Sequence, residues 1–251
     1  MNEADFTQVM KSGYTFDGDT IILGVAEYQA KPIKECFVRL PLATMNRHGL
    51  IAGATGTGKT KTLQILAEQL SANGIPSLVM DIKGDLSGIA STNPGGPKVE
   101  ERYQLIGLPF IAGSSPVEFL SLSEEPGTRL RATVSEFGPV LFSKMLDLNE
   151  TQEGVMAVVY KFCDDHELPL VDLEDLKKVL QYITMDGKDA FESEYGNVMS
   201  TSTGTIIRKL VELEQQGATA FFGEPSFDVE DLLRTNSSGQ GIVHVLRLSD
   251  I

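Results

Sequence analysis

The sequence is poor in cysteine and histidine, and this scarcity argues against two kinds of site. Its two cysteines, Cys36 and Cys163, lie far apart and form no CxxC motif. We therefore expect reduced thiols rather than a disulfide, which favours a cytoplasmic protein. The three histidines, His48, His166 and His244, show no metal-ligand spacing, so a zinc site is not expected.

Long apolar runs and a targeting segment are also missing. No stretch of about 18 apolar residues occurs, so no segment is expected to span a membrane. The first residues, MNEADFTQVMKSGYTF, are polar and acidic, and they lack the basic start and apolar run of a signal peptide.

The chain lacks a surplus of basic residues, since its formal net charge is −14. Dedicated nucleic-acid binders usually carry a basic face, because phosphate neutralisation supplies much of their affinity. The composition therefore leans against DNA binding, although an acidic chain can still hold a basic loop or build a basic channel on assembly. With 251 residues, 41% hydrophobic and 22% charged, the chain is typical of one large soluble domain or a domain with an inserted lobe.

What the sequence does contain is a tight cluster of glycines. In IAGATGTGKTKT, residues 51–62, Gly53, Gly56 and Gly58 come just before Lys59 and Thr60. Glycine weakens a regular helix or strand by about 0.5–1 kcal/mol, so such a cluster favours a loop whose backbone approaches a ligand. The segment fits GxxxxGK[ST], the pattern of a phosphate-binding loop that follows a strand and opens a helix.

The residues around the loop predict that context. HGLIAG, 48–53, is an apolar run of strand length, and IPSLVMDI, 75–82, is another. Between the two runs, Leu63, Leu66, Ala67 and Leu70 recur at helical spacing, which predicts a helix. Gly74 follows where a glycine commonly ends a helix. Strand, loop, helix and strand in this order predict a parallel sheet with a right-handed crossover.

Before the loop, the sequence favours β structure. Asp17-Gly18 lies between 14–16 and 20–25 and predicts a hairpin turn, and 35–44 predicts another strand. After the second apolar run, residues 83–127 are rich in Gly, Pro and Ser. We expect a long surface excursion there with short strands at RYQLIG and VEFLSL, followed by another strand at 128–136 and a helix at GPVLFSKMLDL.

From residue 149 onward the pattern is helical. Capping boxes at Asn149 with Gln152 and at Asp172 with Asp175 predict two helix starts. A third helix carries Ile206, Leu210 and Leu213 on one face and ends before Gly217, and a strand at 242–248 closes the sequence. We therefore divide the chain into an N-terminal β segment at 1–45, a P-loop NTPase core at 46–148, a helical insertion at 149–217 and a return to the core at 218–251.

The glycine-rich loop predicts nucleotide binding. Amide groups at a helix N-terminus attract phosphate, and glycine lets several of them converge on one phosphate group. Lys59 is assigned to the β- and γ-phosphates of ATP and Thr60 to Mg²⁺. The full set of predicted cofactor-binding residues is Arg47, Gly53, Ala54, Thr55, Gly56, Thr57, Gly58, Lys59, Thr60 and Lys61. The alternative is a glycine-rich turn with a solvated lysine.

Hydrolysis needs carboxylates in addition to the loop. Asp81 ends the second apolar run, where α/β proteins place their ligands, so Lys59 and Asp81 are the predicted catalytic residues. Asp85 is a further candidate, and the alternative for both aspartates is a role in capping turns. No apolar run ends in Asp-Glu, since LPLVDLED at 168–175 is interpreted as a helix start.

Several segments together resemble the HerA-like helicase-domain ATPases, within the HerA–FtsK group and its bacterial predicted-ATPase subgroup. The similarity covers nearly the whole chain, and its most specific segments are NRHGLIAGATGTGKT, DIKGDLSGIA, TVSEFGPVL, LNETQEGV, EYGNV and LEQQGATAFFGEP. The resemblance implies an α/β fold with a RecA-like ASCE ATPase core and a helical insertion. It also implies that Asp81 matches the family's acidic residue after the P-loop helix and that Arg47 approaches the nucleotide phosphates.

The resemblance implies a motor that uses ATP and Mg²⁺ to translocate DNA, by analogy as a hexamer with a nuclease partner. The family's Asp-Glu strand, polar sensor and later arginine are not found here, so the chain looks like an N-terminal portion of a family member with weak or no hydrolysis. Two alternatives remain open: a nucleotide-dependent interaction protein without catalysis, and a P-loop small-molecule kinase. The kinase is disfavoured because Arg208 is the one arginine of the helical block.

Overall fold

The computed structural model describes residues 1–249. Within them the chain forms eight α-helices and six strands. In chain order they are α1 Glu3–Gly13, β1 Thr20–Tyr28, β2 Lys31–Pro41, α2 Lys59–Ala72, β3 Ser77–Asp81, α3 Pro97–Ile106, β4 Val117–Ser121, β5 Thr128–Arg129, α4 Val134–Met145, α5 Glu150–Asp165, α6 Leu173–Tyr182, α7 Lys188–Tyr195, α8 Ser200–Gln215 and β6 Val243–Arg247.

The chain divides into two compact units. The first contains residues 1–119 and 229–249, and the second contains 120–228. In the first unit, β3, β6 and the start of β4 form a parallel sheet in that order, and in the second unit the end of β4 pairs with β5 in parallel. This mixed α/β architecture is compatible with a P-loop NTPase-like fold.

The first unit begins with a helix and an antiparallel hairpin, so the predicted hairpin turn at Asp17-Gly18 is wrong. Asn2 caps α1 by accepting a hydrogen bond from the amide of Asp5 at 2.9 Å, which draws residues 3–13 into a helix. The hairpin turn lies instead at Gln29 and Ala30, whose φ angles are 49° and 61°. Two consecutive left-handed residues match a type I′ turn, whose twist suits a two-residue hairpin loop.

The strand predicted at 48–53 does not form, whereas α2 and β3 form close to their predicted positions. Residues 48–54 have no regular secondary structure, and the side chain of Leu50 is 90% exposed. β3 pairs with β6 in parallel register, from Ser77 opposite Val243 to Asp81 opposite Arg247. Because a strand exists only by pairing, an apolar run that meets no neighbour among the described residues stays irregular.

Two further predicted strands are also wrong. RYQLIG lies in α3, which starts with Pro97 at its first position and ends at Gly107 with a φ of 82°. Proline at the start and left-handed glycine at the end are standard helix boundaries. At 128–136 only Thr128 and Arg129 form a strand, because Thr133 then caps α4.

The second unit is mainly helical, as predicted from its capping boxes. Asn149 and Gln152 bond reciprocally at the start of α5, and Asp172 and Asp175 do so at the start of α6. The third predicted helix is α8, and α7 is an additional helix that the sequence did not indicate. The core of the second unit is formed by apolar side chains of α4 to α8, among them Phe142, Met156, Leu176, Leu180, Phe191, Ile206 and Leu210.

No helix in residues 1–249 combines the length and the apolar character that crossing a bilayer requires.

Candidate functional site

The glycine-rich loop leads directly into α2, as predicted, although the strand predicted before the loop does not form. Gly58 lies immediately before the helix in a left-handed conformation, with a φ of 97°, and Gly56 has a φ of 83°. Residues with a Cβ rarely adopt such angles. The turn places the first amide groups of α2 at the mouth of the loop, where they have no intrahelical acceptor. Such a helix N-terminus attracts anions.

Gly53 matters for a different reason, because a side chain at this position would be crowded. A Cβ at this position would lie 2.5 Å from the Oγ1 atom of Thr57. That hydroxyl donates a hydrogen bond to the carbonyl oxygen of Ala54 at 2.8 Å, which closes the loop on itself. The first glycine therefore permits the internal bond that shapes the loop.

Lys59 and Lys61 both have internal partners. The Nζ atom of Lys59 donates to the carbonyl oxygen of Ala54 at 2.8 Å, so its ammonium group folds back over the loop. The Nζ atom of Lys61 donates to Oε1 of Gln64 at 2.8 Å. A phosphate that entered the loop would compete with the Ala54 carbonyl for Lys59.

The hydroxyl of Thr60 lies next to the carboxylate of Asp85. Its Oγ1 atom donates to Oδ2 of Asp85 at 3.1 Å. The side chain of Gln64, one turn further along α2, donates to the main-chain oxygen of Asp85 at 2.9 Å and fixes this segment against the helix. A hydroxyl and a carboxylate side by side supply the hard oxygen ligands that Mg²⁺ prefers.

Asp81 lies behind this pair rather than beside it. Its side chain is 1% exposed, and its carboxylate accepts hydrogen bonds from the amides of Asp85 and Leu86 at 3.1 and 3.2 Å. The hydroxyl of Ser87 lies 3.4 Å from the same carboxylate. Both oxygens are thus engaged in holding the turn that carries Asp85.

An open cleft of about 570 Å³ lies in front of the loop. The loop and the start of α2 form one wall, and the segment after β3 forms another, with Asp85 as the one carboxylate among the described lining residues. Met80 and Ile82 give that wall an apolar surface, with exposed fractions of 61% and 68%. The cleft is large enough for a small-molecule ligand, since such pockets measure roughly 300–1,000 Å³.

The structure brings together most of the predicted site residues, but not all. Thr55, Gly56 and the residues from Gly58 to Lys61 line the cleft, and Asp85 joins them. Five predicted residues are not among the described residues that line the cleft: Arg47, which is exposed, and Gly53, Ala54, Thr57 and Asp81. Asp85 is a further candidate from the sequence, four residues after Asp81, and it lies in the glycine-containing turn that follows β3.

Comparison with known proteins assigns the chain to a family. The model of the family described as helicase HerA-like C-terminal matches residues 27–251, which includes the loop, the cleft and the helical unit. A search of curated proteins found no match.

Proposed function

The chain belongs to the helicase HerA-like C-terminal family, a family of HerA/FtsK-type motors, and we propose that it binds ATP with Mg²⁺ in the cleft. We further propose that hydrolysis of this ATP drives translocation or remodelling of DNA. The observation that carries the proposal is the placing of Thr60 and Asp85 side by side at the mouth of a glycine-rich loop.

The loop supports phosphate binding through its amides and one lysine. The left-handed Gly58 turns the chain so that α2 starts at the loop, and the first amides of α2 have no intrahelical acceptor. Lys59 needs only to exchange the Ala54 carbonyl for a phosphate oxygen, because its ammonium group already lies over the loop. An ammonium bound to phosphate is a charge-assisted contact, which is about twice as strong as a neutral hydrogen bond.

The pair of Thr60 and Asp85 would hold the metal. Mg²⁺ keeps several waters and takes one or two protein oxygens together with phosphate oxygens, which fits a site with one hydroxyl and one carboxylate. When bound, the ion neutralises charge on the β- and γ-phosphates. Asp81 acts as a positioning residue in this proposal, because it holds the turn that presents Asp85.

The same geometry favours slow hydrolysis. Activation of an attacking water needs a carboxylate or an equivalent group beyond the one that serves the metal. Asp85 is the one carboxylate among the described residues of the cleft, and Asp81 is occupied by the turn. This observation gives weight to a second candidate function, in which ATP acts as a structural ligand for a partner interaction without rapid turnover.

Calorimetric titration of the chain with ATP and Mg²⁺ tests the binding step. We expect Lys59→Ala to weaken ATP by about tenfold or more, because it removes a charged hydrogen bond. Lys178→Ala is the control, since Lys178 is an exposed lysine of α6 that pairs with Glu174. Unchanged ATP affinity in Lys59→Ala would refute the site.

Turnover and DNA binding require separate measurements. Phosphate release above background, alone or with double-stranded DNA, supports the motor, whereas tight ATP binding without release supports the second candidate. DNA affinity measured over a range of salt concentrations should fall with salt if the chain contacts phosphates, and a flat response counts against such contacts. A hexameric ring and a nuclease partner belong to the same proposal, and sedimentation with and without ATP tests the ring.

A further inference from the structure

The second unit contains a cavity that the proposed ATP site does not use. It has a volume of about 770 Å³ and lies among the end of α8, the turn after it, β5 and α4. We call it the arginine cavity, because Arg129 and Arg131 both line it. Its volume falls within the range of roughly 300–1,000 Å³ that small-molecule sites occupy.

One side of the arginine cavity is apolar and well packed. Phe137 of α4 makes edge-to-face contacts with Phe221 and Phe222 of the turn after α8, with ring centroids 5.8 and 5.4 Å apart. Leu213 and Met145 extend this surface along the lining. Interlocked aromatic rings hold their geometry, so an apolar group that entered would meet a preformed surface rather than a mobile one.

The other side is positively charged. Among the described lining residues, the charged side chains are Arg129, Arg131 and Glu124, which leaves a positive excess in a chain of net charge −14. Glu124 pairs with Arg129 at 2.9 Å, but the carboxylate side chain is 85% exposed, so water and salt screen the pair. Arg131 donates to the main-chain oxygen of Glu224 at 2.7 Å, which engages one of its five N–H groups.

We propose that the arginine cavity binds a small amphipathic anion, in which an aromatic or acyl group carries a carboxylate, sulfonate or phosphate. The apolar part packs against the aromatic rings, and the anionic part takes the unused N–H groups of the two guanidinium groups. Arginine suits this task because its planar fork matches the two oxygens of such an anion. Since the site shares no residue with the ATP cleft, it does not depend on the proposed function.

The test uses two fluorescent probes that differ in charge. The first is 1-anilinonaphthalene-8-sulfonate, and the second is N-phenyl-1-naphthylamine, which has the same rings without the sulfonate. We expect saturable binding of the sulfonate, and we expect Arg129→Gln and Arg131→Gln each to raise its Kd by about tenfold. The uncharged probe should bind the variants as it binds the parent chain.

Arg208→Gln is the matched control, because Arg208 lies on α8 of the same unit, bonds to Thr205 and does not line the cavity. An unchanged Kd for the sulfonate in Arg129→Gln overturns the proposal, as does the absence of saturable binding. If Arg131→Gln weakens the binding of both probes, the loss of its bond to Glu224 has disturbed the cavity itself. Arg129→Gln then decides, because the side chain of Arg129 pairs with the exposed carboxylate of Glu124 and its loss should leave the fold intact. Displacement of the sulfonate by 1-naphthyl phosphate or by octanoate supports the proposal and tells which anion is preferred, and displacement by neither contradicts it.

Discussion

The hydroxyl of Thr60 donates a hydrogen bond of 3.1 Å to the carboxylate of Asp85, which joins the start of α2 to the turn after β3. The two residues are far apart in sequence, yet they meet at the mouth of the loop. Two hydrogen bonds hold Asp85 in place for this contact. Gln64, which lies on α2 with Thr60, donates to the main-chain oxygen of Asp85, and the Asp81 carboxylate accepts from the Asp85 amide.

Replacing Asp85 by Asn is expected to reduce the dependence of ATP binding on Mg²⁺. The amide keeps an oxygen that can accept from Thr60, but it removes the negative charge that attracts the metal. We expect the gain in ATP affinity on adding Mg²⁺ to shrink by about tenfold, as for loss of a charged contact. Titrations with and without Mg²⁺ measure this gain. An equal gain in Asp85→Asn and in the parent would exclude Asp85 from the metal site.

Replacing Asp81 by Asn should affect stability as well as ligand affinity. A carboxylate accepts from both amides of the turn, whereas the NH₂ group of an amide can only donate, so the variant loses at least one bond in a buried place. The expected loss in free energy of unfolding is about 1–3 kcal/mol. Denaturant unfolding measures it, with Asp186→Asn on the surface as the control. An unchanged unfolding midpoint would show that the turn does not need this anchor.

The crowding at Gly53 predicts a rescue between two substitutions. Gly53→Ala places a methyl group where the Thr57 hydroxyl now lies, so the loop must give up its bond to the Ala54 carbonyl. We expect ATP affinity to fall by about tenfold, since displacement of a loop at a binding site is costly. Adding Thr57→Ala removes the clash and should restore part of the affinity. Additive losses in the double variant would contradict the steric explanation.

His244 predicts a loss of stability in mild acid. Its imidazole is 0% exposed on β6, with Nδ1 3.4 Å from Oε2 of Glu118 in a cluster with Arg234. Burial lowers the pKa of His244 below its usual value of 6.5, against the attraction of Glu118. A lowered pKa in the folded state means that stability is complete above about pH 6.5 and is lost as the pH falls towards the folded pKa.

The measurement compares unfolding of the parent chain and of His244→Phe between pH 7.5 and 5. The carboxyl groups titrate in both proteins. The difference between the two curves of unfolding free energy against pH therefore reports the contribution of His244. We expect the parent to lose more stability than the variant below about pH 6.5. Parallel curves would mean that the imidazole does not titrate differently in the folded and unfolded states.

The local features of the site could be read from the sequence because they depend on neighbouring residues. The loop pattern, the start of α2 and the capping boxes at Asn149 and Asp172 each involve fewer than ten consecutive residues, and each is in the structure. The strand at 48–53 could not be predicted in this way. Its formation depends on a partner strand, and apolar residues alone do not provide one.

The roles of Asp81 and Asp85 could not be separated from the sequence either. Both follow an apolar run within four residues of each other, and both are chemically able to approach a nucleotide. The alternation of side chains in β3 decides between them, because it turns Val79 and Asp81 inward and Met80 outward. The arginine cavity was missed for a similar reason, since its lining comes from segments about 100 residues apart in the chain.

The inward position of Asp81 also favours the observed alignment of β3 beside β6. A shift of one residue would turn every side chain of the strand over, placing Met80 against the polar turn and carrying the aspartate into water. The apolar residues on both faces of β3 would tolerate such a slip, but the aspartate would not. The buried carboxylate therefore favours one register for a strand whose apolar side chains alone would permit more than one.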